Sequence, residues 1–443
     1  MARWLRASLA TLFISLSTLF AAAPPGIELV ATGYIPGNLL DKSGLNGVIC
    51  QAGNPTNCVP KAIFGGLGSD LTYTGHDNVF IAAPDRGPFD GLTDVPFLDR
   101  LHFLHITTNL QSRQVSTVLL DTRFLKNEFG DQFLGAAVAF DLDNPLATLR
   151  FDPEGIRASA TGTIFISDEY GPYVFEFDRQ GNLVRRLEVP AKFPIAHPSG
   201  NPTEELLGNT SGRQANRGME GLAISPDGTT LYGIMQNALL QDGALTPATT
   251  DRIGLNNRIL TIDVATGETR EYVYRIEAAN RGQGASEILA INDHEFLVLE
   301  RDNRSWLAAE PQAPTRKWIY RIDIAGATDV SGMTLPSGTL PVGIQPVRKE
   351  LFINLLDPDF GLHHNDARAI AEKIEGLAWG PDLPDGRHLL YVISDNDLIP
   401  TLPTQIFAFA IDDAELTAPL NFEPQVLPGP LYPPGQLKKQ IGN

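Results

Sequence analysis

Glu154-Gly155-Ile156, Glu220-Gly221-Leu222-Ala223-Ile224, Glu287-Ile288-Leu289-Ala290-Ile291 and Glu375-Gly376-Leu377-Ala378-Trp379 are versions of one phrase, an acid leading into a short apolar run. Ser69-Asp70-Leu71-Thr72-Tyr73 reads as a fifth, diverged copy. Each copy continues alike. A turn follows, such as Ser225-Pro226-Asp227-Gly228 or Pro384-Asp385-Gly386, built from residues that favour turns. A second strand comes next, for example Thr163-Ile164-Phe165-Ile166 or Leu389-Leu390-Tyr391-Val392-Ile393. Several copies add an alternating third strand, such as Arg258-Ile259-Leu260-Thr261-Ile262-Asp263. A fourth is clearest at Leu183-Val184-Arg185-Arg186-Leu187.

A repeated four-stranded antiparallel unit predicts an all-β chain, a β-propeller of about six blades with five repeats visible. Ile27-Glu28-Leu29-Val30 is expected to contribute to a sixth. In an antiparallel pair the start of the first strand and the end of the second share one edge. Blades around an axis therefore bring two rows of polar residues to one face. The strand starts carry Glu154, Glu220, Glu287 and Glu375. The strand ends carry Asp85-Arg86-Gly87, Asp168-Glu169-Tyr170-Gly171, Gln236-Asn237, Glu300-Arg301-Asp302-Asn303-Arg304 and Asp395-Asn396-Asp397.

Carboxylates gathered in this way need protonation, arginine pairing or a bound cation. Oxygen donors without a Cys or His cluster favour Ca²⁺ over zinc. Glu154, Asp168, Glu169, Glu287 and Glu300 are expected as metal ligands. Arg86, Arg217 and Arg304 are expected to grip an anionic group, for which arginine is well suited. Glu220, Glu375 and Arg301 are expected to act in catalysis. Salt bridges, backbone hydrogen bonds and turn capping are the alternative roles for these side chains. His363-His364 could also ligate a metal, although an exposed loop pair is the plainer reading. A Gly-x-Ser-x-Gly elbow, a phosphate-loop signature and a dinucleotide fingerprint are all absent from the sequence.

The 443 residues include 52 acidic and 34 basic ones, a formal charge of −18. Such a surface repels phosphate backbones and disfavours nucleic-acid binding. Arg3 and Arg6 precede an apolar run from Ala7 to Phe20, then Ala21-Ala22-Ala23. This reads as a signal peptide over 1–23, with a single domain over 24–443 and no membrane span after cleavage. A periplasmic or secreted location follows, in which Cys50 and Cys58, the two cysteines, are expected to form a local disulfide.

Ala83-Pro84-Asp85-Arg86-Gly87, Asp152-Pro153-Glu154-Gly155, Ile166-Ser167-Asp168-Glu169-Tyr170-Gly171, Asn216-Arg217-Gly218-Met219-Glu220-Gly221-Leu222, Leu299-Glu300-Arg301-Asp302 and Ile374-Glu375-Gly376-Leu377-Ala378 form an ordered set. In these motifs the chain resembles the phytase-like ("esterase-like activity of phytase") family of exported bacterial proteins. The resemblance spans roughly Phe64 to Asp412 and implies a propeller with phosphoric-ester hydrolase activity. The expectation is a monomeric, calcium-dependent hydrolase acting on a small anionic, phosphorylated substrate. A non-catalytic binding propeller with structural calcium and a lactonase-like propeller hydrolase are the other two readings.

Overall fold

Apolar runs of four to eight residues, broken by Gly, Pro and Asx turns, bury themselves here as antiparallel strands stacked face to face. The computed structural model describes residues 26–441, apart from 68, 145–146, 172, 248, 280–282, 308–310, 363–368 and 417–420. The proposed signal segment and His363-His364 lie outside the described residues. Among those described, no helix is long and apolar enough to cross a membrane.

Five four-stranded units emerge. Blade I runs Asp70–Tyr73, Val79–Ala83, Arg100–Asn109 and Gln114–Phe124 from the axis outwards. Blade II is Pro153–Ala158, Ile164–Asp168, Val174–Phe177 and Leu183–Leu187. Blade III is Met219–Ile224, Thr230–Met235, Asn256–Asp263 and Thr269–Arg275. Blade IV is Gly284–Ala290, Glu295–Arg301, Lys317–Asp323 and Arg348–Asn354. Blade V takes Lys373–Trp379, His388–Asp395 and Thr404–Ile411 from the C-terminal part of the chain. Its outer strand, Ile27–Ile35, comes from the N-terminal part and pairs antiparallel with Thr404–Ile411. The innermost strands touch in cyclic order from blade I round to blade V and back. The ring is thus a closed propeller of five blades among the described residues. The N-terminal strand completes the fifth blade rather than building a sixth, because the last three strands leave an edge that it covers.

Each pair of neighbouring blades encloses one apolar layer. Phe165 and Val174 of blade II meet Leu222, Leu231 and Leu260 of blade III. Ile288, Phe296 and Tyr320 of blade IV meet Ala223, Tyr232 and Ile259 of blade III. The glycine of the repeated phrase serves this packing. A Cβ on Gly155 would lie 2.3 Å from the Leu222 backbone nitrogen, and one on Gly221 would lie 2.7 Å from Glu287 Cα. Only glycine lets adjacent inner strands approach so closely.

The hairpin Val48–Gln51 with Asn54–Pro60 sets Cys50 directly opposite Cys58, and the two are disulfide-bonded. On the face of the ring away from the strand starts, the C-terminal tail crosses the axis as a strap. Its Phe422 ring packs on Trp379 of blade V at 4.8 Å. The Glu423 amide donates to Ile291 O (2.9 Å), and the Val426 amide to Pro226 O (2.7 Å). Gln425 reaches Ala158 O, and Leu431 and Tyr432 enter the layer between blades I and II. The tail ends in the helix Pro434–Ile441, whose Gln440 donates to Leu120 O of blade I at 2.6 Å.

Candidate active site at the channel mouth

The register explains where the acids go. Each inner strand of blades II to V begins with a β-bulge, at Pro153/Ile156, Met219/Gly221, Ala285/Glu287 and Ile374/Gly376. A bulge re-aims side chains locally. Glu154, Glu220 and Glu375 lie in these bulges and line a cavity of about 160 Å³ at one end of the channel. Asp85, Arg86, Glu169, Arg217, Arg301 and Lys373 line it too. The two predicted rows do converge there, though not in every member.

In and beside this cavity three sets of acids each bring one oxygen within 4.8 Å of the others: Asp85–Asp395–Asp397, Asp85–Asp152–Glu154 and Glu154–Glu169–Glu220. The first already has a cation. Lys373 Nζ lies 2.5 Å from Asp397, 3.4 Å from Asp85 and 3.5 Å from Asp395. Burial works against the Asp397 carboxylate, yet Lys373 keeps its pKa below the usual range. The second leans on Arg86, which pairs with Asp152 at 2.6 Å and reaches Glu169 at 3.3 Å and Asp90 at 2.9 Å. Burial still pushes Asp85 up to about 7, with Arg86 and Lys373 opposing.

The third set is the least compensated. Burial, then the Glu220 charge, drives Glu154 well above the usual range. Burial, Glu169 and Glu375 do the same to Glu220, with Arg301 opposing. Glu220 Oε2 is buried without a hydrogen bond. An all-oxygen set of mutually repelling carboxyls with an unsatisfied buried oxygen fits a hard divalent cation such as Ca²⁺.

Around this set the other side chains are tightly organised. Gln236 donates to Glu220 Oε1 and accepts from Arg217 Nη1 at 2.6 Å, tying an arginine to the acid cluster. Arg301 donates to Glu375 Oε1. Asp168 does not line the cavity. Its Oδ1 accepts from the amides of Asp152 (3.1 Å) and Tyr170 (3.0 Å), shaping the loop that carries Glu169.

Besides Asp168, three expected residues stand elsewhere. In blade IV the bulged residue is Ser286, so Glu287 falls one place later, opposite Leu299 as Gly221 is opposite Ile234. A one-residue slip sends a strand side chain to the other side. Glu287 therefore lies deeper in the channel, where Arg157 bridges it (3.0 Å) to Asp70. Glu300 alternates away from Arg301 and accepts from Tyr274 Oη (2.7 Å) and Lys349 Nζ (2.5 Å). Arg304 turns from the cavity, its guanidinium towards Ala313 O at 3.5 Å.

A second cavity of about 430 Å³ shares the wall made by Arg86, Asp90, Asn216 and Arg217 and adds Arg150, Tyr170, Glu205 and Arg252. Glu205 pairs with both Arg150 (2.9 Å) and Arg213 (2.6 Å). Arg217 and Arg252 differ. Among the described residues no carboxylate lies within ion-pair distance of either. Burial and the neighbouring Arg252 bring the Arg217 pKa down to about 10. Arg252 lies in the long connection between the second and third strands of blade III, outside any repeat, so periodicity offered no route to it. A further cavity of about 380 Å³ opens at the opposite mouth beneath the strap, lined by Leu71, Tyr73, Trp379 and Phe422.

One relative, an uncharacterized secreted protein of Arthroderma benhamiae, is 27% identical over 460 residues, covering 84% of this chain and 86% of its own. Among solved structures, regucalcin from Agrobacterium tumefaciens, described as calcium-binding, superposes with a TM-score of 0.34 at 13% identity, covering 82% of this chain and 94% of its own. Streptogramin B lyase gives 0.28 at 12% identity, covering 79% and 95%. The family model described as "Phytase-like: Esterase-like activity of phytase" matches residues 62–398, a span that holds every acid and arginine of the channel mouth. By that match the chain belongs to the phytase-like, esterase-like activity of phytase, family.

Proposed function

We propose that the protein is an exported, calcium-dependent hydrolase of phosphate esters. The observation that carries this reading is Arg217. It stands on the wall between an undercompensated acidic cavity and a larger basic one, without a carboxylate partner. A cation site beside an unpaired arginine matches a substrate that carries an anionic group. Export is supported by the disulfide and by the relative whose name describes it as secreted, with a periplasmic or extracellular destination.

Glu154, Glu169 and Glu220 hold the cation. Calcium, when bound, supplies positive charge that keeps these acids ionised and draws charge from the phosphoryl oxygens. Arg217 grips a phosphoryl oxygen, and Gln236 sets its distance from Glu220. Glu375, oriented by Arg301, takes a proton from water as the water oxygen bonds to phosphorus. The ester oxygen leaves with the bonding pair and is protonated from solvent.

Phosphate release from p-nitrophenyl phosphate, with and without Ca²⁺, tests the assignment. Glu220→Gln should weaken calcium binding and turnover together. Glu375→Gln should keep calcium affinity and lose about 10²–10⁴-fold in kcat, the usual worth of a positioned base. Calcium-dependent melting without release of phosphate would instead establish a binding propeller with a structural ion. Turnover confined to a lactone panel would establish the lactonase reading.

A further inference from the structure

Beside the arginine cavity lies an apolar trough of about 190 Å³, lined among others by Phe140, Leu142, Tyr173, Pro194, Ile195 and Pro198. Arg150 and Tyr170 line both spaces and mark their junction, with the Arg150 guanidinium 3.8 Å from the centre of the Tyr170 ring. The rim is unusually greasy for so acidic a protein. Val138, Leu142 and Leu207 are 70%, 67% and 64% exposed. Leu207 follows Leu206, which lines the arginine cavity, and Val138 follows Ala137, which does the same. Leu142 lines the trough itself, so its exposed side chain is apolar surface on that wall.

The charges decide which end of a ligand goes where. Arg150 and Arg213, which line the trough, share the Glu205 carboxylate and are already engaged by it. Arg217 and Arg252, which have no carboxylate partner among the described residues, line the arginine cavity, and Arg217 also lines the carboxylate cavity. We infer that the trough is the subsite for the organic part of the substrate, and that this substrate is a phosphate ester of an apolar alcohol, alkyl or aryl. Its phosphoryl group sits at Arg217 and its hydrocarbon runs past Tyr170 between Leu142 and Ile195. Asp141, Thr148, Asp168 and Arg213 also line the trough, but the stretch between Leu142 and Ile195 presents apolar surface, where a polyol's loss of hydration would cost affinity. This inference rests on the phosphate-ester reading and adds the class of the leaving group.

Binding of methyl-, butyl- and hexylphosphonate to the full chain in Ca²⁺, measured by calorimetry, tests it without requiring turnover. A fully buried methylene is worth about fourfold in affinity, so a half-open trough should give at least about tenfold from methyl to hexyl. Leu142→Ser and Ile195→Ser should flatten the series and leave methylphosphonate affinity unchanged, which also reports that these variants are folded. A flat series in the unaltered protein, with methylphosphonate still held through Arg217, overturns the inference and spares the phosphate-ester reading. A rise that survives both substitutions overturns the trough as its cause. Failure of every phosphonate to bind overturns the phosphate-ester reading itself, and the inference with it.

Discussion

Replacing Arg157 with methionine should destabilise the ring in a pH-dependent way. Arg157 lies in the channel below the carboxylate cavity, 2% exposed, bridging Asp70 and Glu287. Its guanidinium also donates to Ile288 O at 3.0 Å. Removing one member of a buried ion pair typically costs about 3–5 kcal/mol, because its partner is left charged and dry. Here two carboxyls are left, and they can escape by taking protons. Burial already pushes Asp70 up to about 6 while Arg157 opposes it, and burial and Asp70 hold Glu287 well above its ordinary value. Without the arginine both must rise further. A carboxyl whose folded pKa is raised favours the folded state while protonated, and loses that advantage as pH climbs from the unfolded value near 4 to the folded one. Each carboxyl that must stay protonated costs about 1.4 kcal/mol per pH unit across that window. Because Asp70 already titrates near 6 and Glu287 higher with the arginine present, variant and parent diverge only above that pH, so the variant should show a deficit of about 3–5 kcal/mol at pH 7 that is smaller by about 1–2 kcal/mol at pH 5. Urea unfolding followed by tryptophan fluorescence at the two pH values measures this. Adding Asp70→Asn and Glu287→Gln to the variant should recover most of the loss, since a neutral set has no charge to desolvate. An equal deficit at pH 5 and pH 7, or no recovery in the triple variant, would refute the reasoning.

Other substitutions probe separate links. A Cβ on Gly218 would fall 1.9 Å from Glu169 O, so Gly218→Ala should displace Glu169 and lower calcium affinity at least about tenfold by titration calorimetry, one lost ligand contact being worth about 1.4 kcal/mol or more. Cys50→Ser with Cys58→Ser removes a short cross-link whose loop entropy is worth about 2–3 kcal/mol to the hairpin. Neither cysteine lines the carboxylate cavity, so proteolysis of residues 48–60 should accelerate while phosphate release is unchanged. Phe422→Ala removes the Trp379 contact, an aromatic pair worth about 1 kcal/mol beyond its buried area, and should hasten cleavage within residues 421–441.

The propeller was legible because each blade begins with a strand buried on both sides, and in blades II, III and V a bulge at its start keeps an acid, a glycine and an apolar run together. Residues whose position follows from strand period alone, such as Glu154, Glu220, Glu375 and Arg301, could be placed at the mouth. Glu287 could not, because the same letters sit one residue out of step in blade IV and the bulge falls on Ser286. Glu300 belongs to the right strand end, but alternation turns it towards Tyr274 and Lys349. The blade number was overcounted because Ile27–Ile35 reads as a strand without a blade until the C-terminal edge it covers is seen. Arg252 and the apolar trough come from long connections between strands, where no period constrains the chain and only folding brings the side chains together.

The pairing of Ile27 with Ile411 joins residues from opposite ends of the chain. Closing so long a loop costs about 5 kcal/mol of chain entropy, and nothing refunds it until both partners exist. Every other blade can form from a contiguous stretch as it is made, whereas the fifth must wait for the last strands to be synthesised. The ring therefore behaves as a clasp that cannot fasten early. An unfastened chain keeps its apolar layers unsealed and can be drawn lengthwise through a narrow translocation pore. Once fastened, pulling on the N-terminal end loads the seam in blade V first, whereas pulling on the C-terminal end must first peel the Pro434–Ile441 helix and the strap from the ring.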